Sequence, residues 1–438
     1  MTGSRHDEFL AALPRRWEKV SIDDLGDLVG GGTPSRANPA YWGGDIPWVT
    51  PGEVTELNGS KYIRHTRERI TQAGLAGSAA KLLPQGSVLN TTRATLGAVA
   101  IAGVRLTTNQ GFRTLVPNSS ADSDFYFHLF KLVASEFKRL GSGSTFDEIS
   151  RRLLGAVVLP RPEVDEQRAI AHILDAADQA MEAVERRIKK LSMIRLGFVA
   201  ELLSRGLSSS GELRSETDDL VDSDDVGRHP ADWSVDQLAS VVDRDRPIVY
   251  GVLMPGRGYD GPGAVPVIKV KDIIGGQVMK DGLLRTTPEI DQEYRRSRLA
   301  AGDLLFTIRG TVGRMAFVPA SLDGANITQD TARIAVKGAN SIYVREWLDS
   351  FSARKFVDLN TIGQAVRGIN LGALRKLPIA LPPLDEQDAI AAAIGAFDST
   401  LSLEKERLRE LTSIKLGLAR DLLSGAGEAD LAMAEKAA

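Results

Sequence analysis

Polar and basic side chains gather at short turns in this chain, and they are its first candidates for chemistry. In the first half they are Arg36, Arg93, Thr95, Asn109, Gln110, Ser142 and Ser144; in the second, Lys269, Lys271, Arg309, Thr311, Gln329 and Arg367. Guanidinium, amide and hydroxyl groups carried on loops are the donors that reach phosphates and base edges. The partner they fit is double-stranded DNA, although each taken singly also reads as an ordinary turn residue.

Fragments of catalytic motifs are present, but none is complete. Asn38-Pro39-Ala40-Tyr41 is close to the NPPY-type motif with which adenine methyltransferases hold the target amino group. It lacks the second proline, and no glycine-rich cofactor turn accompanies it. Asp124 with Glu136-Phe137-Lys138 imitates a nuclease D…ExK set for Mg²⁺. Glu136-Phe137-Lys138, with Asp124 just upstream, sits in a stretch (Phe125 to Leu140) patterned as an amphipathic helix, whereas the nuclease pair belongs on adjacent strands. There is no GxxxxGK[ST] phosphate loop. His6, His65, His128, His172 and His229 lack metal-ligand spacing. The expectation is no catalytic residue and no metal in this chain.

The elements that position the turns come from an internal duplication. Asp165-Glu166-Gln167 with Ala169-Ile170-Ala171 returns as Asp385-Glu386-Gln387 with Ala389-Ile390-Ala391, and the match runs on without a gap to Leu202-Leu203-Ser204 and Leu422-Leu423-Ser424. Weaker echoes lie upstream. Pro14 and Trp17 match Pro230 and Trp233; Gly86 to Gly97 matches Gly302 to Gly313; Asn109-Gln110 matches Thr328-Gln329. Gly31-Gly32-Thr33-Pro34-Ser35 shows no counterpart in the second half. A shared scaffold with different loops suggests that two different things are read.

Each duplicated segment has the spacing of a long helix with a heptad seam. The seam runs through Ile170, Leu174, Met181, Ile188 and Leu191 in one copy, and Ile390, Ile394, Leu401, Leu408 and Leu411 in the other. Arg195 and Lys415 interrupt it at equivalent places, either to fix register or because Ile194 and Ile414 take over the seam. Asp165 and Asp385 are placed to cap the helices or to complement their positive ends. Some forty helical residues span roughly 60 Å, against about 34 Å for one turn of B-DNA, which suits a ruler between two readers.

The globular parts alternate short β-rich runs with glycine turns and occasional helices, an α+β pattern. The expected organisation is an N-terminal extension (1–13), a recognition domain (14–162), a helix (163–206), an acidic linker (207–229), a second recognition domain (230–383), a second helix (384–425) and a tail (426–438). The linker is inferred from the seven acidic residues against one arginine between Ser208 and Asp225. A chain of 438 residues exceeds one core. Net charge −3 disfavours a tight non-specific nucleic-acid binder. The absence of cysteine suits a reducing cytoplasm, and no run is apolar enough for a signal peptide or a membrane span.

In combination these motifs resemble the specificity subunits of type I restriction–modification systems. GGTPSRANPAYWGGDIPWVTPGEV (31–54) is similar to the opening of one group of target-recognition domains in that family. GDLLFTIRGTVGRMAFV (302–318) is similar to its recurring strand–turn–strand, and LPPLDEQDAIAAAI (381–394) to the junction into its helices. The resemblance implies two target-recognition domains reading a bipartite, asymmetric DNA site, joined by two helices that pack as an antiparallel coiled coil with a pseudo-two-fold relation. It also implies docking of modification (methyltransferase) and restriction (translocase/nuclease) subunits, which carry S-adenosylmethionine, ATP and Mg; this chain would hold no cofactor. A stand-alone methyltransferase or nuclease, or a coiled-coil adaptor without a DNA role, are the competing readings.

Overall fold

A computed structural model describes residues 5–57, 60–93, 95–141, 148–216, 219–363 and 367–426. Two compact units emerge. Unit one comprises residues up to Ile188 together with those from Glu404 onward, and unit two is Lys189–Leu403. Both contain a large sheet of the same design, antiparallel throughout in unit two and closed by one parallel strand in unit one. In unit one the strand order is Gly26–Gly30, Phe112–Pro117, Val88–Thr91, Val99–Ala102, Tyr62–Ile63. In unit two it is Val249–Tyr250, Thr331–Ile334, Leu304–Thr307, Met315–Phe317, with no fifth strand among the described residues. A second, three-stranded sheet repeats as well. Trp42–Val49 lies between Glu68–Ile70 and a parallel Thr107–Thr108, as Val265–Ile268 lies between Leu284–Thr286 and a parallel Asn326–Ile327.

Apolar residues follow one another along these strands and point to opposite faces in turn, so each large sheet has two apolar faces. Val88 and Leu115 pack on the helices Ser123–Leu132 and Ala134–Gly141, while Leu89 and Phe112 fill a second core with Val49 and Leu106. The expected single helix from Phe125 to Leu140 is thus two helices that break at Val133. Its nuclease-like residues serve the fold: Asp124 accepts from the Tyr62 hydroxyl at 2.7 Å, and Glu136 pairs with Arg139.

Two long helices, Val164–Arg205 and Leu384–Leu423, supply the remaining wall of each core. In unit one Ile170 and Leu174 meet Leu418 and Leu422; in unit two Val199 and Leu202 join Ile390 and Ile394. Early residues of one helix therefore meet late residues of the other. The pairing is antiparallel. Ile170, Leu174, Ile390, Ile394 and Leu401 are buried along the seam, whereas Met181, Ile188, Leu191, Leu408 and Leu411 remain partly exposed. Ile194 and Ile414 do not take over the seam, being 47% and 56% exposed. The cations hold it instead. Arg195 reaches Asp398 (Nη2–Oδ2 2.8 Å) and Glu346 (3.1 Å) within unit two, and Lys415 pairs with Asp178 within unit one. The Asp398 hydrogen bond, joined by Glu346, raises the Arg195 pKa above its ordinary value despite burial.

The Asp-Glu-Gln triplet explains how each globular part sits on its helix. Glu166 accepts from the Trp17 indole at 3.0 Å, and Glu386 from that of Trp233 at 3.3 Å. Gln167 accepts from the Asp122 N–H and donates to the Pro162 carbonyl; Gln387 does the same with Asn340 and Pro382. Both glutamines are buried with their amides bonded, as a buried amide requires. Asp165 lies inside the first helical turn with its side chain in water, so it complements the helix end rather than capping it.

The acidic stretch departs from the linker expected of it. Leu220–Ser223 and Gly227–Pro230 form a hairpin whose Val226 enters the unit-two core, and Arg214 pairs with Glu386 at 2.7 Å. Acidic residues along one exposed side do not prevent folding when every few residues an apolar or cationic group docks inward. Residues 5–12 likewise form a helix, Arg5–Ala12, with Phe9 and Leu10 against the unit-one core.

Unit one also contains a partly buried charge network. Lys61 lies 2.5 Å from Asp175 and 2.6 Å from Asp124, and His128 bonds Asp175 at 2.8 Å. Burial alone would raise the Asp175 pKa, but bonds from His128 and Lys61 outweigh it and hold the carboxyl below its ordinary 3.8. A depressed carboxyl contributes stability that is complete above the ordinary pKa and is lost as pH falls through the folded one. Asp175→Asn should therefore melt at a lower temperature than the parent near neutrality. The two melting curves should converge as pH falls below 3.8; a gap independent of pH would contradict this.

Candidate nucleic-acid interface

A threonine-centred turn closes the same strand pair in both units. The Thr91 hydroxyl donates to the Thr95 carbonyl at 2.5 Å, as that of Thr307 donates to Thr311 at 2.5 Å. Gly97 and Gly313 each donate back to that threonine's carbonyl at 2.9 Å, with φ of 84° and 88°, a region that favours glycine. The residue two places after the threonine is an exposed arginine, Arg93 or Arg309. Sequence and geometry here agree: one scaffold presents one guanidinium at the end of the sheet.

In unit two the strand ends converge around Arg309. The Gln329 N–H donates to the Val252 carbonyl, Thr328 to Ile268 beside Lys269, and Gly310 to Arg367. Arg309, Gln329, Lys269 and Arg367 thus share one end of the two sheets. Thr311 is exposed in the same turn, and Lys271 is exposed in the short 3-10 helix Val270–Asp272. Arg309 is 54% exposed and only 3.7 Å from Asp330, a loose pair that a phosphate or base can replace.

Unit one assembles Arg93, Thr95, Asn109 and Gln110 in the corresponding place. Asn109 donates from its backbone to the Val49 carbonyl, and the Thr33 hydroxyl donates to the Gln110 side chain. Arg93 pairs with Glu148 at 2.6 Å. Thr95 serves mainly to close the turn. Arg36 is engaged inside the domain: its guanidinium grips Glu68 and lies 3.8 Å above the Trp42 ring, so it braces the loop after Gly32. The Glu68 bond raises its pKa above the ordinary arginine value. Ser142 and Ser144 lie outside the described residues.

Two glycines that the residue types alone did not single out make this edge possible. A Cβ on Gly31 would fall 2.0 Å from the Asn109 carbonyl oxygen, and one on Gly251 would fall 1.9 Å from that of Ile327. Gly32 and Val252 then donate to the Thr108 and Ile327 carbonyls. Gly251 onward is therefore the counterpart of Gly31 onward, although the sequences that follow share nothing. Among the described residues, no group of three or more acidic or histidine side chains is placed to hold a metal ion, and no helix is long and apolar enough to cross a membrane.

The family model described as Type I restriction modification DNA specificity domain matches residues 14–193 and 257–413. The chain belongs to this family. Curated relatives include the type I restriction enzyme MjaIX specificity subunit of Methanocaldococcus jannaschii, 32% identical over 271 residues, covering 61% of this chain and 60% of the relative. The EcoBI specificity subunit of Escherichia coli is 27% identical over 315 residues, covering 70% and 65%. The alignments with these two span somewhat less than two thirds of the relatives' length. Among solved structures, a chain from a study of assembly and conformational transition of the type I R-M system gives a TM-score of 0.60 at 17% identity, over 94% of this chain and 98% of that one. The S subunit from M. genitalium gives 0.53 at 15% identity, over 93% and 96%. The fold of this specificity-family member is thus shared with both.

Proposed function

We propose that this chain selects DNA sequence for a type I restriction–modification complex, each unit reading one half of a bipartite, asymmetric site. The observation that carries this is the repeated strand-end turn, which offers Arg93 with Asn109 and Gln110 in one unit, and Arg309 with Gln329, Lys269 and Arg367 in the other. One scaffold with two sets of donors is what two different half-sites require. The chain itself contributes no catalytic residue in this reading. Modification subunits supply S-adenosylmethionine chemistry, restriction subunits supply ATP and Mg-dependent steps, and the complex works in the cytoplasm. The long helices offer equivalent outward apolar groups for docking: Ile194 and Leu196 in unit two, Ile414 and Leu416 in unit one, all exposed.

Selection from a random duplex library, using the chain with its modification subunits, should enrich two defined blocks separated by a constant gap. Arg309→Ala should relax one block only, at about 1–3 kcal/mol if the guanidinium contacts a base. If it contacts phosphate, affinity should fall on all sequences and the salt dependence should shrink by about one ion. Absence of any bipartite motif, or equal relaxation of both blocks, would sink the reading.

A further inference from the structure

The loop after Gly251 differs in chemistry from its unit-one equivalent. Val252 is fixed on both sides, donating to the Ile327 carbonyl at 2.7 Å and accepting from Gln329 at 3.0 Å. The next two side chains stand in water at the converged strand ends, Leu253 at 47% and Met254 at 82% exposure. Gly256 and Gly258, with φ of 83° and 120°, turn the chain back, and Tyr259 donates to the Arg285 carbonyl to close the loop. At the matching positions of unit one, Thr33 is bonded to Gln110 and Pro34 is buried. One edge therefore presents a hydroxyl and the other a thioether and an isobutyl group.

Scattered exposed apolar residues need no explanation. These two are adjacent, lie on a loop anchored at both ends, and sit among Lys269, Arg309, Arg367 and the exposed Arg257 of the same loop. Cations of that kind bring DNA phosphates to the edge, so the apolar tip meets a groove. In the major groove the one apolar feature of a base pair is the thymine 5-methyl group.

We propose that Leu253 and Met254 read a thymine by its 5-methyl group in the half-site of unit two. This rests on the DNA-reading function proposed above. The test replaces each thymine of the selected site by uracil, one at a time on either strand, and measures binding by the chain with its modification subunits. Cleavage of the selected site by an iron chelate on a single cysteine, introduced as Arg257→Cys in this cysteine-free chain, identifies the block read by unit two whichever contact Arg309 makes. One or two uracils in that block should weaken binding about four-fold, the weight of one buried methyl group. A Leu253→Ala/Met254→Ala variant, whose unchanged melting temperature checks its fold, should bind thymine and uracil duplexes alike.

Specific binding with no sensitive uracil, with a loss that persists in the variant, or with no A·T pair in that block, overturns the inference and leaves the DNA reading intact. Increased 2-aminopurine fluorescence at a base step, without uracil sensitivity, overturns it in favour of an intercalating wedge. Failure to select any site removes the DNA reading itself.

Discussion

Replacing Arg195 by alanine should cost unit two about 3 kcal/mol, the lower part of the range for breaking a buried ion pair. Its carboxylate partner Glu346 is 2% exposed and cannot recover its hydration when the guanidinium leaves. Asp398 is more open and loses less. Arg345 also reaches Glu346, which keeps the cost from the upper part of the range. The decisive comparison is Arg195→Met against Arg195→Met/Glu346→Gln. Removing the stranded charge should restore part of the loss, since an apolar replacement of a whole buried pair is often close to neutral. Hydrogen exchange should show the change in the unit-two core around Trp347 and Val199. An Arg195→Ala protein as stable as the parent would mean that the pair contributes nothing.

Ile394→Asp should be more severe, at more than about 4 kcal/mol, because a carboxylate would enter a fully buried site within an apolar cluster. Ile394 is 1% exposed and touches the unit-two core together with Ile390 and Leu202. Loss of cooperative unfolding for that unit in denaturant titrations is the expected readout. Met181→Asp and Leu411→Asp, in the same heptad frame, should cost much less, because both positions stay partly in water. Equal effects at all three positions would show that spacing, not burial, governs the seam.

That contrast marks the reach of the sequence. A heptad frame says which residues share a stripe, but how deeply each is buried depends on what else packs there. Near Ile170 and Ile394 the globular cores close over the helices, while around Met181 and Leu411 they do not. The duplication was legible because the helices, the Asp-Glu-Gln anchors and the threonine turn must keep one geometry. Arg195 was visible as an interruption of the seam, yet its tie to Glu346 spans 151 positions and leaves no local trace. The equivalence of Gly251 and Gly31 was hidden for the opposite reason: only a close backbone approach is shared there, and the side chains beyond it differ completely. The described part of the acidic stretch was misjudged on composition, since a few inward groups suffice to fold it.

The cation–carboxylate pairs on the long helices have a consequence for orientation. Asp178 and Arg195 on the first helix occupy the places of Asp398 and Lys415 on the second, so each helix carries one acid and one base in the same order. Run antiparallel, acid meets base twice, once within each unit. Run parallel in the same register, the two aspartates would face each other and Arg195 would face Lys415. Both contacts would then be repulsive, at partly buried positions where water screens them poorly. The apolar stripe alone accepts either direction; the four charges reject one of them.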